Sequence, residues 1–567
     1  MKILGLCHDV LICAGALVEE GEVVAAAAEE RFDRRKQSRV FPAKAIQWCL
    51  QKAGLELADL DEVVIAWNPS IDLETLPEGW LSRRHRAEHF HQVPAQLMRL
   101  ARGSAPREVT IGEVFAGGPP VTFVNHYDAH IGNSYFTSGW DEAAICILDG
   151  RAERQTSLLA AARGTAVERL AEVSYPHSLG LFYGTVTQHL GFRPDSDEWK
   201  VMALGSDSDP RPYLDSMRPL VRVRDDGSFA LALEYFEFYN QFDRRMYSDL
   251  WEATFGPARR SDEAFTDRHR ALAAACQALF EEKAAELLHI LHRRTGLKRL
   301  AGSGGCFMNS VFNGKIGALT PFEELFVSGS PDDSGTAVGA AFFLEAQRTG
   351  RKRSTNLEAN DWGPAFTDAQ CAEAVRRFGL PNARRVDDPA AAAATDLAEG
   401  RILGWFQGAM EFGQRALGHR SILLDPRRAD GKDAVNAAVK FRESFRPFAP
   451  AILAEAVGDW FDCPANATAP FMERVFRFRP DQAPRVPAVV HTDGTGRVQT
   501  VAPGQGRFRA LIEGFETLTG IPIVLNTSFN LNGEPIVCTP EDAVRTFYTC
   551  GLDVLYLGDM RISKTAD

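Results

Sequence analysis

The chain has 567 residues, 45% hydrophobic and 24% charged, with a formal net charge of -12. That length exceeds one hydrophobic core and calls for roughly two to four domains, while the acidic balance argues against a nucleic-acid partner. No apolar run approaches the roughly 20 residues that span a bilayer. The ten cysteines are scattered without a C-x-x-C pair, which sets aside a zinc ribbon or a disulfide framework.

The opening, Met1-Lys2-Ile3-Leu4-Gly5-Leu6-Cys7-His8-Asp9, turns polar too soon for a secretory signal, so a reducing, cytoplasmic setting is expected. Residues 2–7, 12–18 and 22–29 are rich in Val, Ile, Leu and Ala and predict strands, with Glu20-Gly21 as punctuation. After Phe41-Pro42, the residues Ala45, Ile46, Cys49 and Leu50 recur at helical spacing. Residues 63–67, 121–124, 143–148, 299–302 and 324–327 predict further strands, with helical patterns such as 271–291 between them. Strands alternating with helices predict an α/β architecture. The polar, basic stretch 347–355 precedes Trp362-Gly363-Pro364, which places a linker at 351–364 between domains 1–350 and 365–567. The second domain is expected to hold helices at 367–378 and 389–399 and strands at 402–406, 522–525 and 554–557, and no internal repeat is visible.

Four groups of residues carry chemistry. His126 and His130 are four apart, directly after the strand 121–124, a spacing that puts both imidazoles on one helix face. Two satisfied histidines near a helix start are the bland alternative. Asp149, before Gly150 at a strand's carboxyl end, and Asp333, between a strand and a helix beginning near Thr336, add carboxylates where open α/β sheets gather ligands. Two His and two carboxylates suit iron, zinc or manganese better than calcium. Gly302-Ser303-Gly304-Gly305-Cys306-Phe307-Met308-Asn309 follows a strand, so its N–H groups are expected to approach a phosphate; a plain tight turn is the alternative. Residues 410–450 hold two basic clusters, with Arg415 and Arg420 in the first and Lys440, Arg442 and Arg446 in the second, interleaved with Gly, Phe and Pro. Arginines on a backbone held by Phe and Pro grip a phosphorylated anion through paired hydrogen bonds. Asn526-Thr527-Ser528-Phe529-Asn530 at a strand end, for which an ordinary turn is the strong alternative, and Arg497 add polar groups that suit a carbamoyl amide or a further anion contact.

Together these pieces resemble the O-carbamoyltransferase family of nodulation and antibiotic-tailoring enzymes (NodU/CmcH type) over nearly the whole chain. The strongest parts are Glu29-Glu30-Arg31-Phe32, the His126/His130 block, 410–450 and 526–534. The resemblance implies an N-terminal domain of the actin-like ATPase fold (Kae1/TsaD-like) followed by a YrdC/Sua5-like α/β domain. It implies that carbamoyl phosphate and ATP form carbamoyl-adenylate, whose carbamoyl group passes to a hydroxyl of a small natural product. Arg415, Lys440, Arg446 and Arg497 match the positions that hold carbamoyl phosphate and the triphosphate, with Arg420, Arg442, Asn526 and Ser528 behind them. Lys440, Arg446 and His8 are the implied catalytic residues, His8 taking the proton of the acceptor hydroxyl. His126, His130, Asp149 and Asp333 match the family's metal ligands, usually iron, beside a nucleotide near Gly304, Gly305, Asn309 and Lys200; Mg2+ would accompany ATP.

The resemblance implies no nucleic-acid or membrane partner and leaves a homodimer open. Val10-Leu11, Arg151-Ala152, Trp199, Ala203, Gln414 and His419 depart from the family pattern, which bears on pocket shape. Trp67, Trp80 and Trp140 are candidates to line an apolar acceptor site. A nucleotide-gated, actin-like switch without carbamoyl transfer is the reading from a different class.

Overall fold

The computed structural model describes residues 1–567 except 9, 11, 69–97, 101–107, 111–114, 116, 241–244, 354–356, 441–444, 465–466 and 566–567. Trp80 and Arg442 lie outside the described residues. The chain packs into two compact units, one of Met1–Glu29 with Arg39–Leu357, the other of Glu30–Ser38 with Glu358–Asp567.

In the first unit, strands β1 (Lys2–Cys7), β2 (Ala14–Glu19), β3 (Glu22–Ala28), β4 (Glu62–Ile65) and β5 (Val121–Phe123) form a sheet of order β3-β2-β1-β4-β5. The first three pair antiparallel, and β1, β4 and β5 run parallel. A second sheet, of β6 (Glu142–Leu148), β7 (Gln155–Arg163), β8 (Ala166–Ser174), β9 (Arg299–Ser303) and β10 (Glu324–Val327), repeats this as β8-β7-β6-β9-β10 with the same senses. The unit thus carries a structural repeat that the sequence does not display. What recurs is the pattern of buried apolar strands, and many different residues satisfy that pattern.

Helices α1 (Ala43–Ala53), α2 (His126–Ile131), α3 (Asp267–Thr295), α4 (Ser310–Leu319) and α5 (Thr336–Thr349) connect or cover the strands. Their ends are set locally: Gly54, Gly296 and Gly350 close α1, α3 and α5 in the left-handed conformation. The Glu29 carboxylate accepts from the N–H groups of Lys44 (3.0 Å) and Ala45 (2.9 Å) at the start of α1. Helix α5 runs to Thr349, three residues into the polar, basic stretch 347–355 and ending before the linker expected at 351–364; near its end Arg348 pairs with Glu62 at 2.8 Å.

The second unit is built on a ten-stranded mixed sheet. Its strands are β11 (Ala383–Arg385), β12 (Leu403–Phe406), β13 (Arg420–Leu424), β14 (Ala449–Leu453), β15 (Phe461–Asp462), β16 (Arg474–Phe478), β17 (Thr495–Val501), β18 (Ile523–Ser528), β19 (Val554–Leu557) and β20 (Met560–Ser563). The order is β11-β20-β19-β12-β13-β18-β14-β17-β16-β15. Helices α6 (Asp368–Phe378), α7 (Pro389–Ala398), α8 (Gly506–Thr519) and α9 (Pro540–Tyr548) pack on it, around a core that includes Trp405, Leu423, Phe515, Val524 and Tyr556. The segment 30–38 belongs with this unit: Arg31 donates to Gly413 O at 2.8 Å, Arg34 donates to Ile536 O and Pro535 O at 2.6 and 3.0 Å, and Phe32 packs with Met410, Ile536 and Cys538. No helix among the described residues is long and apolar enough to cross a membrane.

Candidate functional site

The first unit brings His126, His130, Asp149 and Asp333 together, with one donor atom of each within 4.8 Å of the others. Both histidines stand on α2, which starts two residues past β5; Asp149 directly follows β6, and Asp333 lies in the turn before α5. His126 Nδ1–H donates to Ala66 O (3.1 Å). His130 Nδ1 meets Ser303 Oγ (2.8 Å), whose own hydroxyl donates to Pro331 O. These outer bonds fix each ring so that Nε2 faces inward, the arrangement second-shell groups impose on metal-binding histidines. The two Nε2 atoms lie 3.1 Å apart. Asp149 Oδ1 is held by the N–H groups of Gly150 (2.8 Å) and Gly305 (2.9 Å). Its Oδ2 is buried without a hydrogen-bond partner among the described residues, 3.4 Å from His130 Nε2 and 3.7 Å from His126 Nε2.

Two imidazole nitrogens and two carboxylates facing one another at this range fit a divalent transition metal. Without one, burial alone would lower the His126 pKa, but the facing carboxylates of Asp149 and Asp333 outweigh it and raise it well above the ordinary value. Burial would raise Asp149, and the two histidines instead hold it far below the usual carboxylate range.

Around this cluster the sequence expectations divide. His8 directly follows β1 and is buried with its ring 5.8 Å from Phe41; Sγ of the adjoining Cys7 lies 3.9 Å from Ser334 O, beside Asp333. Trp67 stands 5.5 Å from the His126 ring. Trp140 does not reach the cluster: it packs on Phe326 and under Arg299, at the opposite end of β9 from Ser303. The glycine loop also differs from expectation. Gly304 N–H donates to Pro331 O at 2.8 Å and Gly305 N–H to Asp149, so both amides are engaged within the protein and not turned to a phosphate. Asn309 caps α4 through the N–H of Phe312 and pairs with Gln277, while Lys200 contacts Asp197 at 3.2 Å over the Phe192 and Trp199 rings. Glu153, which carried no expectation, orients α2 by accepting from the N–H groups of His126 (2.9 Å) and Asn68 (2.7 Å).

In the second unit the cations gather at one end of the sheet. Arg415 lies in the loop before β13, and Lys440 ends the helical run Gly431–Val435 and Asn436–Lys440. Arg446 lies three residues before β14, and Arg497 sits near the start of β17. The register aligns these ends: Asn526 lies opposite both Leu423 and Ala449, and Ala451 opposite Gln499. Lys440 is buried, and its Nζ donates to Ser528 O (2.6 Å), Asn530 Oδ1 (2.8 Å) and Asn530 O (3.0 Å). Those oxygens are neutral, and they take up the three N–H groups of the ammonium. Asn530 closes the polar run 526–530 noted in the sequence but carried no role of its own there; its place two residues after Ser528, just past the end of β18, was the available signal.

Arg420 corrects an expectation. It is fully buried, lies 3.6 Å from the Phe406 ring centroid, and donates to the carbonyls of Gln407, Gly408, His419 and Pro364. Burial lowers its pKa to about 10, with Glu411 opposing the fall. It braces the loop and does not present itself to an anion. Asn526 is likewise internal, donating to Gln499 Oε1 (2.8 Å) and Ala416 O (3.2 Å).

With this geometry in hand, comparison with known proteins gives a consistent picture. Residues 2–342 match the family described as Carbamoyltransferase N-terminus, and residues 394–564 that described as Carbamoyltransferase C-terminus. The chain is 36% identical over 555 residues to nodulation protein NolNO of Sinorhizobium fredii, covering 97% of this chain and 78% of that one. It is 34% identical over 606 residues to an uncharacterized protein of Synechocystis sp., covering 100% and 97%. It is 34% identical over 262 residues to 3'-hydroxymethylcephem-O-carbamoyltransferase of Amycolatopsis lactamdurans, covering 45% and 47%. Among solved structures, HypF of T. kodakarensis overlaps at a TM-score of 0.32 and 14% identity, covering 62% of this chain and 48% of that one, too slight a likeness to carry an argument.

Proposed function

The chain belongs to the carbamoyltransferase family, and we propose that it is an ATP-dependent O-carbamoyltransferase working in two steps. Carbamoyl phosphate and water give carbamate and phosphate. A carbamate oxygen then attacks the α-phosphorus of ATP, forming carbamoyl-adenylate as pyrophosphate leaves. In the second step an acceptor hydroxyl attacks the carbamoyl carbon, its proton is removed, and AMP departs. The acceptor class is a small natural product bearing a hydroxyl, as the name of the cephem relative indicates for that protein.

The observation that carries the first step is the buried Lys440 ammonium, held by Ser528 and Asn530 at the sheet end where Arg415, Arg446 and Arg497 also stand. Cations fixed in a dry site favour charge developing on the transferred phosphorus more than they would in water. This unit takes the YrdC/Sua5-like role, with Mg2+ accompanying ATP. The first unit, with its duplicated sheets, takes the actin-like, Kae1/TsaD-like role and hosts transfer. There His126, His130, Asp149 and Asp333 would hold a divalent metal, iron before zinc or manganese, which when bound supplies a Lewis acid for phosphate or carbamoyl oxygens. His8, which directly follows β1, receives the acceptor proton, and Trp67, 5.5 Å from the His126 ring, offers an apolar wall. Gly304, Gly305, Asn309 and Lys200 remain the nucleotide side of that cleft through their surfaces, their amide and cap bonds being internal.

The test is direct detection of the intermediate. Wild-type protein with ATP and carbamoyl phosphate should yield carbamoyl-adenylate by mass spectrometry, and Lys440→Ala should cut its formation by about 100-fold or more. Undiminished adenylate in Lys440→Ala would remove that residue from the step.

A further inference from the structure

Between Ala409, which bridges to Ala365, and β13 the chain makes a loop with Arg415 in its middle. Glu411 lies near the start of this loop, is buried, and sends its carboxylate across to the end. One oxygen, Oε1, accepts from the N–H groups of Leu417 (2.7 Å), His419 (2.8 Å) and Arg420 (3.2 Å). Other buried side chains hold what is left. Ala416 O accepts from Asn526 Nδ2, Leu417 O from Gln499 Nε2 (2.8 Å) and Gly418 O from Trp405 Nε1 (2.9 Å). Gly418 N–H donates to Ser421 Oγ (3.1 Å), and His419 O accepts from Gln407 N–H (2.9 Å). Every backbone polar group from Ala416 O to Arg420 N–H is therefore bonded inside the protein.

Connecting loops ordinarily bond to water and move with it. This one is bonded internally, and a carboxylate has been buried to do it, offset by the buried Arg420 charge nearby. A loop that cannot relax pre-orders whatever its middle residue binds, which removes an ordering cost from binding. We propose that Glu411 is a positioning residue for carbamoyl phosphate, clasping residues 411–420 so that the Arg415 guanidinium is set in place before the dianion arrives. The proposal rests on the carbamoyl-adenylate reading above. A carboxylate suits this place because one oxygen serves three donors, and the second oxygen, Oε2, is buried without a hydrogen-bond partner among the described residues.

Kinetics of carbamoyl phosphate-dependent pyrophosphate release are compared for wild type, Glu411→Gln, Glu411→Ala, Arg415→Ala and Glu411→Gln/Arg415→Ala. Weakening three charge-assisted bonds should raise the KM for carbamoyl phosphate about tenfold in Glu411→Gln and further in Glu411→Ala. The KM for ATP should move less, and adding Glu411→Gln to Arg415→Ala should change nothing beyond about twofold. Hydrogen exchange at Leu417, His419 and Arg420 should quicken while metal content stays at the wild-type level. Glu411→Gln keeps the size and shape of the side chain and decides the matter if Glu411→Ala does not fold. An unchanged KM in Glu411→Gln, or effects of Glu411→Gln and Arg415→Ala that multiply, would overturn the positioning role alone. Wild-type protein that releases no pyrophosphate in response to carbamoyl phosphate would overturn the reaction, and this role with it.

Discussion

Asp149 shows how much one side chain is made to do. One oxygen is fixed by two backbone N–H groups, and the other is left facing two imidazoles. The proton is the metal's competitor here, because Asp149 and Asp333 raise the His126 pKa against the pull of burial. The sign follows from that direction. In the metal-free protein this contribution to stability is present below the unfolded value of about 6.5 and fades as pH rises through the higher folded value. Metal binding must release that proton, so its apparent affinity should rise about tenfold per pH unit until the folded value is passed. Titration of metal-free protein with Fe2+ or Zn2+ at several pH values, read by thermal stability and bound-metal analysis, should show this slope. An affinity flat with pH would remove His126 from the ligand set.

At the scale of elements, the placement of α2 depends on how closely it meets α5. A Cβ built on Gly132, directly after α2, would lie 1.9 Å from Gly339 O, and one on Gly339 would lie 1.9 Å from Ala129 O. No side-chain rotation relieves a clash with backbone, so Gly339→Ala must push the two elements apart. Overpacking of this kind costs about 1–3 kcal/mol or more, and here the displaced element carries His126 and His130. Gly339→Ala should therefore lose metal affinity along with stability, as measured by bound-metal analysis on folded protein. Gly150→Ala, where a Cβ would meet nothing within 4 Å, is the control expected to keep its stability. The same scale shows where sequence reading stops. Strands 2–7, 324–327 and 554–557 coincide with β1, β10 and β19 because each is an apolar run, opened by Lys2 or Glu324 in the first two. Strands β7 and β8 escaped it: β7 opens on Gln155, Thr156 and Ser157, and β8, an edge strand, exposes Glu168, Arg169 and Ser174. β13 was hidden because Arg420 opens it inside a cluster that reads as a cationic loop.

Across the whole molecule, what the sequence conveyed was composition, and what it withheld was partnership. The net charge of -12 made the cations of 410–450 stand out as local. Spacing alone could not say that Arg420 is braced by four carbonyls while Lys440 is held by Ser528 and Asn530, since both read as cations beside glycine, phenylalanine or proline. Nor could it say that residues 30–38 pack with the second unit, a placement set by Arg31 and Arg34 reaching carbonyls some 380 and 500 residues away in sequence. His126, His130, Asp149 and Asp333 were legible because each sits at or just beyond a strand end, where an α/β sheet collects its ligands.

In the proposed reading, the carbamoyl group is activated in the second unit and used in the first. The most direct test is to incubate purified protein with ATP, with and without carbamoyl phosphate, and follow pyrophosphate. The account predicts pyrophosphate release only when carbamoyl phosphate is present; ATP turnover indifferent to carbamoyl phosphate, in folded protein, would contradict it and favour a nucleotide-gated switch.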